Sequence, residues 1–106
     1  MFIAMNRITP LPEYVERFEE LFRTRARQVD SMTGFKEAKI LRPLEPNQPF
    51  IVMTYWDKRA DFEEWLKTGE FMRGHARGFE DMHKAREEGK PLPMQSNMEL
   101  YEVFAD

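Results

Sequence analysis

The chain has 106 residues, 42% hydrophobic and 13% aromatic, so residues 1–106 are expected to form one packed domain rather than a disordered segment. Its net charge of −3 comes from interspersed acids and bases, which leaves no electrostatic footprint for nucleic acid or anionic lipid. The absence of cysteine excludes a disulfide scaffold, a thiolate metal site and a cysteine nucleophile.

The first strand is predicted over residues 2–8. Phe2, Ala4 and Ile8 fall on one face with Asn6, and Ile3 and Met5 on the other with Arg7. A strand apolar on both faces belongs inside a sheet that is covered on both sides. It begins without a basic leader, and no apolar run approaches the roughly 20 residues that span a bilayer. With the missing cysteines, this gives the expectation of a cytoplasmic protein that does not enter a membrane.

Thr9-Pro10-Leu11-Pro12 breaks the strand, and a helix is predicted from Pro12 to Asp30. Tyr14, Val15, Phe18, Leu21, Phe22 and Val29 recur there at spacings of three and four. Gly34-Phe35 marks a turn, and Lys36 to Leu41 reads as a second strand. After a proline-rich loop over 43–49, Phe50 to Trp56 is β-branched and aromatic throughout, the strongest strand signal in the chain. Asp57 is the predicted N-cap of a helix carrying Phe62, Trp65 and Leu66. Gly69 interrupts it, and a further helical piece carries Phe71, Met72, His75, Ala76, Phe79 and Met82. A loop over 89–96 leads to a last strand predicted over 97–104.

The order β-α-β-β-α-β predicts an α+β, ferredoxin-like fold, an antiparallel sheet with helices on one face. Ile3, Met5, Ile51, Met53, Tyr55, Tyr101 and Val103 then point to the uncovered face. Apolar surface of that extent predicts a homodimer packed sheet to sheet, a dimeric α+β barrel.

Chemistry-bearing residues are few. Ser31 and Ser96 lie in no nucleophile elbow, and the glycines form neither a phosphate loop nor a dinucleotide fingerprint. Of the two histidines, His83 reads as solvated. His75 sits on the apolar stripe of its helix, where an imidazole is either a hydrogen-bonded core residue or a ligand to something that enters the core. No second histidine or carboxylate stands at metal-ligand spacing from it, which does not suit most bare metals, whereas a porphyrin supplies four nitrogens of its own. Asn6 is an amide on an otherwise apolar face, and is either bonded to neighbouring backbone or directed into a pocket. Trp65 is either a core anchor or a pocket wall. Gly74 and Gly78, flanking His75, would let a flat ring approach.

The combination is more specific than its parts. Asn6 on the first strand, Trp65 in Phe-Glu-Glu-Trp-Leu-Lys and His75 in Glu-Phe-Met-Arg-Gly-His resemble the set of the IsdG-type haem-degrading monooxygenases. That family lies within the antibiotic-biosynthesis-monooxygenase group of dimeric ferredoxin-like barrels. The resemblance runs from Asn6-Arg7-Ile8 through Gly34-Phe35 and Tyr55-Trp56 to the Trp65–His75 block. It implies that His75 is the axial ligand of haem iron, that Asn6 hydrogen-bonds the distal ligand, and that Trp65 presses the porphyrin out of plane. Haem would be substrate and cofactor together, opened with O2 and external electrons to release iron and a linear tetrapyrrole. Arg23 and Arg25 on the first helix, and Arg73 and Arg77 near His75, are candidates for its propionates, with Arg23 and Arg77 put forward. A separate reductase is implied, because no flavin or nicotinamide signature is present. Two rivals stay open: a cofactor-free monooxygenase of quinols or polyketide-like phenols, and a haem carrier that does not cleave its cargo.

Overall fold

A computed structural model describes residues 1–106. Four strands, β1 (Phe2–Pro10), β2 (Phe35–Leu41), β3 (Phe50–Trp56) and β4 (Met94–Glu102), are joined through helices α1 (Val15–Arg23), α2 (Arg59–Leu66) and α3 (Gly69–Glu87). The sheet runs β2-β3-β1-β4 with every neighbouring pair antiparallel, which is the expected ferredoxin-like arrangement. β1 and the β-branched, aromatic β3 occupy the interior positions, as their two-sided apolar patterns require.

Several boundaries differ from the sequence reading, and β1 runs on through Thr9 and Pro10, where that reading places a break, because β4 supplies partners for both. The predicted 12–30 helix is broken. Pro12–Tyr14 forms a 3-10 turn, α1 ends at Arg23, and Gln28–Ser31 is a second 3-10 turn. The Thr24 hydroxyl donates to the Glu20 carbonyl at 2.8 Å, and Arg27 then takes a left-handed conformation with φ 58°. The chain turns there, so Val29 packs with a different part of the core from Phe18 and Phe22.

Asp57 does not cap α2. Its N–H donates to the Gly34 carbonyl at 2.8 Å and its carboxylate pairs with Lys36 at 3.2 Å, so it fastens the start of β2 to the end of β3. The side-chain cap forms instead at α3, where Thr68 Oγ1 accepts from the Phe71 N–H at 3.1 Å. The last strand begins three residues early because β1 continues to Pro10 and supplies partners for Met94 and Gln95. It stops at Glu102. One further bond, from Val103 N–H to the Met1 carbonyl, lies beyond it, and Phe104 projects 97% exposed.

The core on the helix side of the sheet is in two parts. Phe2, Ala4, Trp56, Phe62 and Trp65 form one, with Val29, Met32, Phe35 and Phe71 packed on it. Ile8, Phe18 and Phe50 form the other, with Tyr14, Val15, Phe22 and Met94 among its neighbours. Asn6 lies between them on β1, opposite Val52 on one side and Met98 on the other. The other face of the sheet carries Ile3, Met5, Ile51, Met53, Tyr55 and Tyr101, and no element of the chain covers it. The only charged pair spanning β1 and β4 on that face is Arg7–Glu99.

Candidate functional site

α3 is long enough to cross the sheet, yet none of its 19 residues is buried. Its apolar stripe survives as a stripe, but Met72 and Phe79 are 54% and 46% exposed. On β4, Met98 and Leu100 are likewise exposed, although register places them beside Asn6 and Ala4 on the helix-covered side. A helix and an edge strand thus each leave apolar side chains open beside the gap between the two core clusters.

His75 stands on that stripe and is exposed, which overturns the option of a buried core histidine. Its Nδ1 lies 2.7 Å from the Phe71 carbonyl oxygen, one helical turn earlier. A carbonyl can only accept, so Nδ1 carries the proton and, in the neutral ring, Nε2 holds a free lone pair. The imidazole is flanked along the same stripe. The Phe71 ring centroid is 4.3 Å away at 38°, and the Phe79 ring is stacked at 5.9 Å and 25°. Sequence alone did not identify this carbonyl acceptor or the aromatic pair, although four-residue spacing on either side of a histidine is a readable signal.

Trp65 reaches the same place from the core. It is 9% exposed within the first cluster, and its indole meets Phe71 edge-on at 5.7 Å and 88°. Trp65, Phe71, His75 and Phe79 thus form a continuous aromatic row from the interior to the surface. Asn6 contributes the one enclosed side-chain polar atom without a partner: its Oδ1 is cut off from solvent and bonded to nothing. The option of an amide satisfied by neighbouring backbone therefore fails at that oxygen. An orphaned amide oxygen costs on the order of 1–3 kcal/mol, so this group does not contribute to the stability of the fold.

The arginines are placed differently. Arg77 is about 200° around the helix from His75 and donates to Thr24 Oγ1 at 2.9 Å and the Leu21 carbonyl at 3.1 Å, tying α3 to the end of α1. Arg23 pairs with Glu19 and Glu20 of its own helix, both at 3.4 Å, and Arg73 pairs with Glu70. Arg25 is half-buried with the Phe22 carbonyl as acceptor, and burial lowers its pKa. The flanking glycines also divide. A Cβ on Gly74 would meet nothing, whereas one on Gly78 would touch Met94 and Leu21, so Gly78 lets α3 pack closely and Gly74 borders open space. His83 pairs with Glu87 at the surface.

An antiparallel four-stranded sheet with helices on one face defines the class as a ferredoxin-like α+β protein. The chain belongs to the antibiotic biosynthesis monooxygenase family, whose match covers residues 1–77 and so includes Asn6, Trp65 and His75. It is 30% identical over 95 residues to a staphylobilin-producing haem oxygenase of Staphylococcus haemolyticus, covering 87% of this chain and 86% of that protein. Among solved structures it is similar to MhuD, a haem degrader of Mycobacterium tuberculosis with two haems bound in its active site. That similarity has a TM-score of 0.69 and 24% identity over 100% of this chain and 98% of the other. It is also similar to SnoaB, a cofactor-independent oxygenase of Streptomyces nogalater, with a TM-score of 0.70 and 20% identity over 99% and 94% of the two chains. At these identities the structural likenesses show the fold alone.

Proposed function

We propose that the protein is a haem-degrading monooxygenase that binds haem beneath α3 and opens its ring oxidatively. The carrying observation is the His75 imidazole: Nδ1–H is held by the Phe71 carbonyl and Nε2 is left bare on an exposed apolar stripe. The residues suit haem in three respects. One imidazole is enough for an iron already held by four porphyrin nitrogens. Met98, Leu100 and Met72 are exposed apolar surface for a flat ring. The unpartnered Asn6 amide supplies a polar group on the sheet side.

His75 would hold the iron through Nε2, Asn6 would offer its amide to a polar group on the sheet side, and the packed Trp65 would wall the haem site. Haem, when bound, is both the group that activates O2 and the substrate that is cleaved, with iron and a linear tetrapyrrole as products. Electrons come from a separate reductase. Arg23 and Arg77, put forward for the propionates, would have to leave Glu19 and Glu20 and the end of α1 respectively, and Arg25 and Arg73 are likewise engaged, with the Phe22 carbonyl and Glu70. The working unit is a single-domain homodimer closed over the apolar sheet face, and its setting is the cytoplasm.

Titration with haemin tests the reading. The expected result is a shifted Soret band that His75→Ala abolishes, followed by bleaching and iron release when reductant is added in air. A Soret band that persists under reductant and air would indicate a passive carrier. A haemin spectrum indifferent to His75, with turnover of a quinol or polyketide phenol, would indicate the cofactor-free oxygenase.

A further inference from the structure

Phe79 belongs to neither core cluster and leaves 46% of its surface exposed, yet its ring stacks on the His75 imidazole. On the opposite side of that imidazole lie the Phe71 ring, itself wedged against buried Trp65, and the Phe71 carbonyl that accepts from Nδ1. The inner wall of the imidazole's seat is therefore anchored to the core, while its outer wall is a phenylalanine that the core does not need. An exposed aromatic retained at the i+4 position, where it covers one ring, acts on that ring.

From this geometry we infer that Phe79 is a positioning residue: it holds the His75 imidazole against the Phe71 carbonyl, so that the proton stays on Nδ1 and Nε2 keeps one direction. In water the neutral histidine ring favours the proton on Nε2, which would block that nitrogen as a ligand. The carbonyl bond selects the other tautomer only while the ring is kept in place. Phe79 also shields an iron–imidazole bond from water on the solvent side. This second effect rests on the haem reading, and the first does not.

The test has two arms on the full-length protein. In the ligand-free protein, ring-nitrogen NMR is expected to show His75 as a single Nδ1–H tautomer, changing to a mixture in Phe79→Ala and remaining single in Phe79→Tyr. With haemin bound, transfer to apomyoglobin is expected to accelerate about tenfold in Phe79→Ala and to stay within about twofold of wild type in Phe79→Tyr, the scale of losing an outer-shell support. Phe79→Leu serves if the alanine variant is poorly folded by circular dichroism. A wild-type tautomer pattern in Phe79→Ala overturns the inference, as does equal loss in Phe79→Tyr. If wild-type protein takes up no haemin through His75, the proposed function fails, while the ligand-free arm still decides the role of Phe79.

Discussion

Under the proposed function, Asn6 sets activity against stability at a single residue. Its Oδ1 is enclosed without a partner in the gap between two well-packed aromatic clusters. Replacing it with the apolar Leu removes the unsatisfied oxygen and fills space, so Asn6→Leu is expected to stabilise the fold by about 1 kcal/mol. Haem turnover should fall by roughly 100-fold, the usual scale for losing one preorganised polar group at a reacting centre. Thermal unfolding measured beside bleaching kinetics checks both halves, and a variant that is destabilised with full turnover would contradict the assignment. Trp65 illustrates the opposite case. Its core role and its contact with the site are the same packing, so mutation there cannot separate them.

At the scale of elements, α3 is held against α1 mainly by polar clamps, because it buries no residue of its own. Asp81 accepts from the Tyr14 hydroxyl at 2.6 Å and from Arg17 at 3.0 Å. Burial pushes the Asp81 carboxyl up, but the hydrogen bonds from Tyr14 and Arg17 outweigh it, and its pKa lies below the ordinary value. The same carboxylate and its burial raise the Tyr14 phenol. A depressed folded-state pKa means stability that is fully present above the unfolded value, about 3.9, and is lost as pH falls through the folded value. Asp81→Asn should therefore cost about 1 kcal/mol near neutrality, a figure reduced for the solvent exposure of Arg17. That deficit should shrink below about pH 4, as denaturant titrations at several pH values would show. The turn before β2 depends on Gly34, which has φ +79°. A Cβ there would fall 2.0 Å from Asp61 Oδ2. Gly34→Ala combines left-handed strain with that clash and is expected to cost at least about 1–3 kcal/mol in chemical denaturation.

As a whole, the molecule is a slab of 43 × 34 × 21 Å, two layers thick. Its radius of gyration of 14.6 Å exceeds the roughly 13 Å expected for a sphere-like domain of this length. Only 9 of 106 residues are buried, so much of the apolar sequence has yet to find a partner within one copy. The open sheet face can meet a copy of itself because its charges neutralise each other within it, Arg7 with Glu99 and Lys39 with Glu37. Met53→Lys places an unpaired cation on that face between Met5 and Lys39, whose like charge it adds to. It is expected to convert a dimer into monomer by sedimentation velocity at micromolar concentration while leaving the circular dichroism of the sheet intact. A variant that sediments as wild type would argue against sheet-to-sheet association.

Element order, the interior placement of β1 and β3, and the stripe bearing His75 were legible in the amino-acid sequence, because periods of 2 and 3.6 are written in side-chain polarity itself. Where α1 stops, what Asp57 binds and where β4 begins were not, since each depends on a partner distant in the chain: the turn that sends Val29 to another cluster, the Gly34 carbonyl, and the last residues of β1. The same holds for the site. The resemblance to the haem-degrading monooxygenases nominated Asn6, Trp65 and His75 as a set, but polarity patterns could not tell whether the stripe on α3 is packed shut or left open. Only the tertiary arrangement decided that, by separating the core into two clusters and leaving the imidazole between Phe71 and Phe79 with one nitrogen tied and the other free.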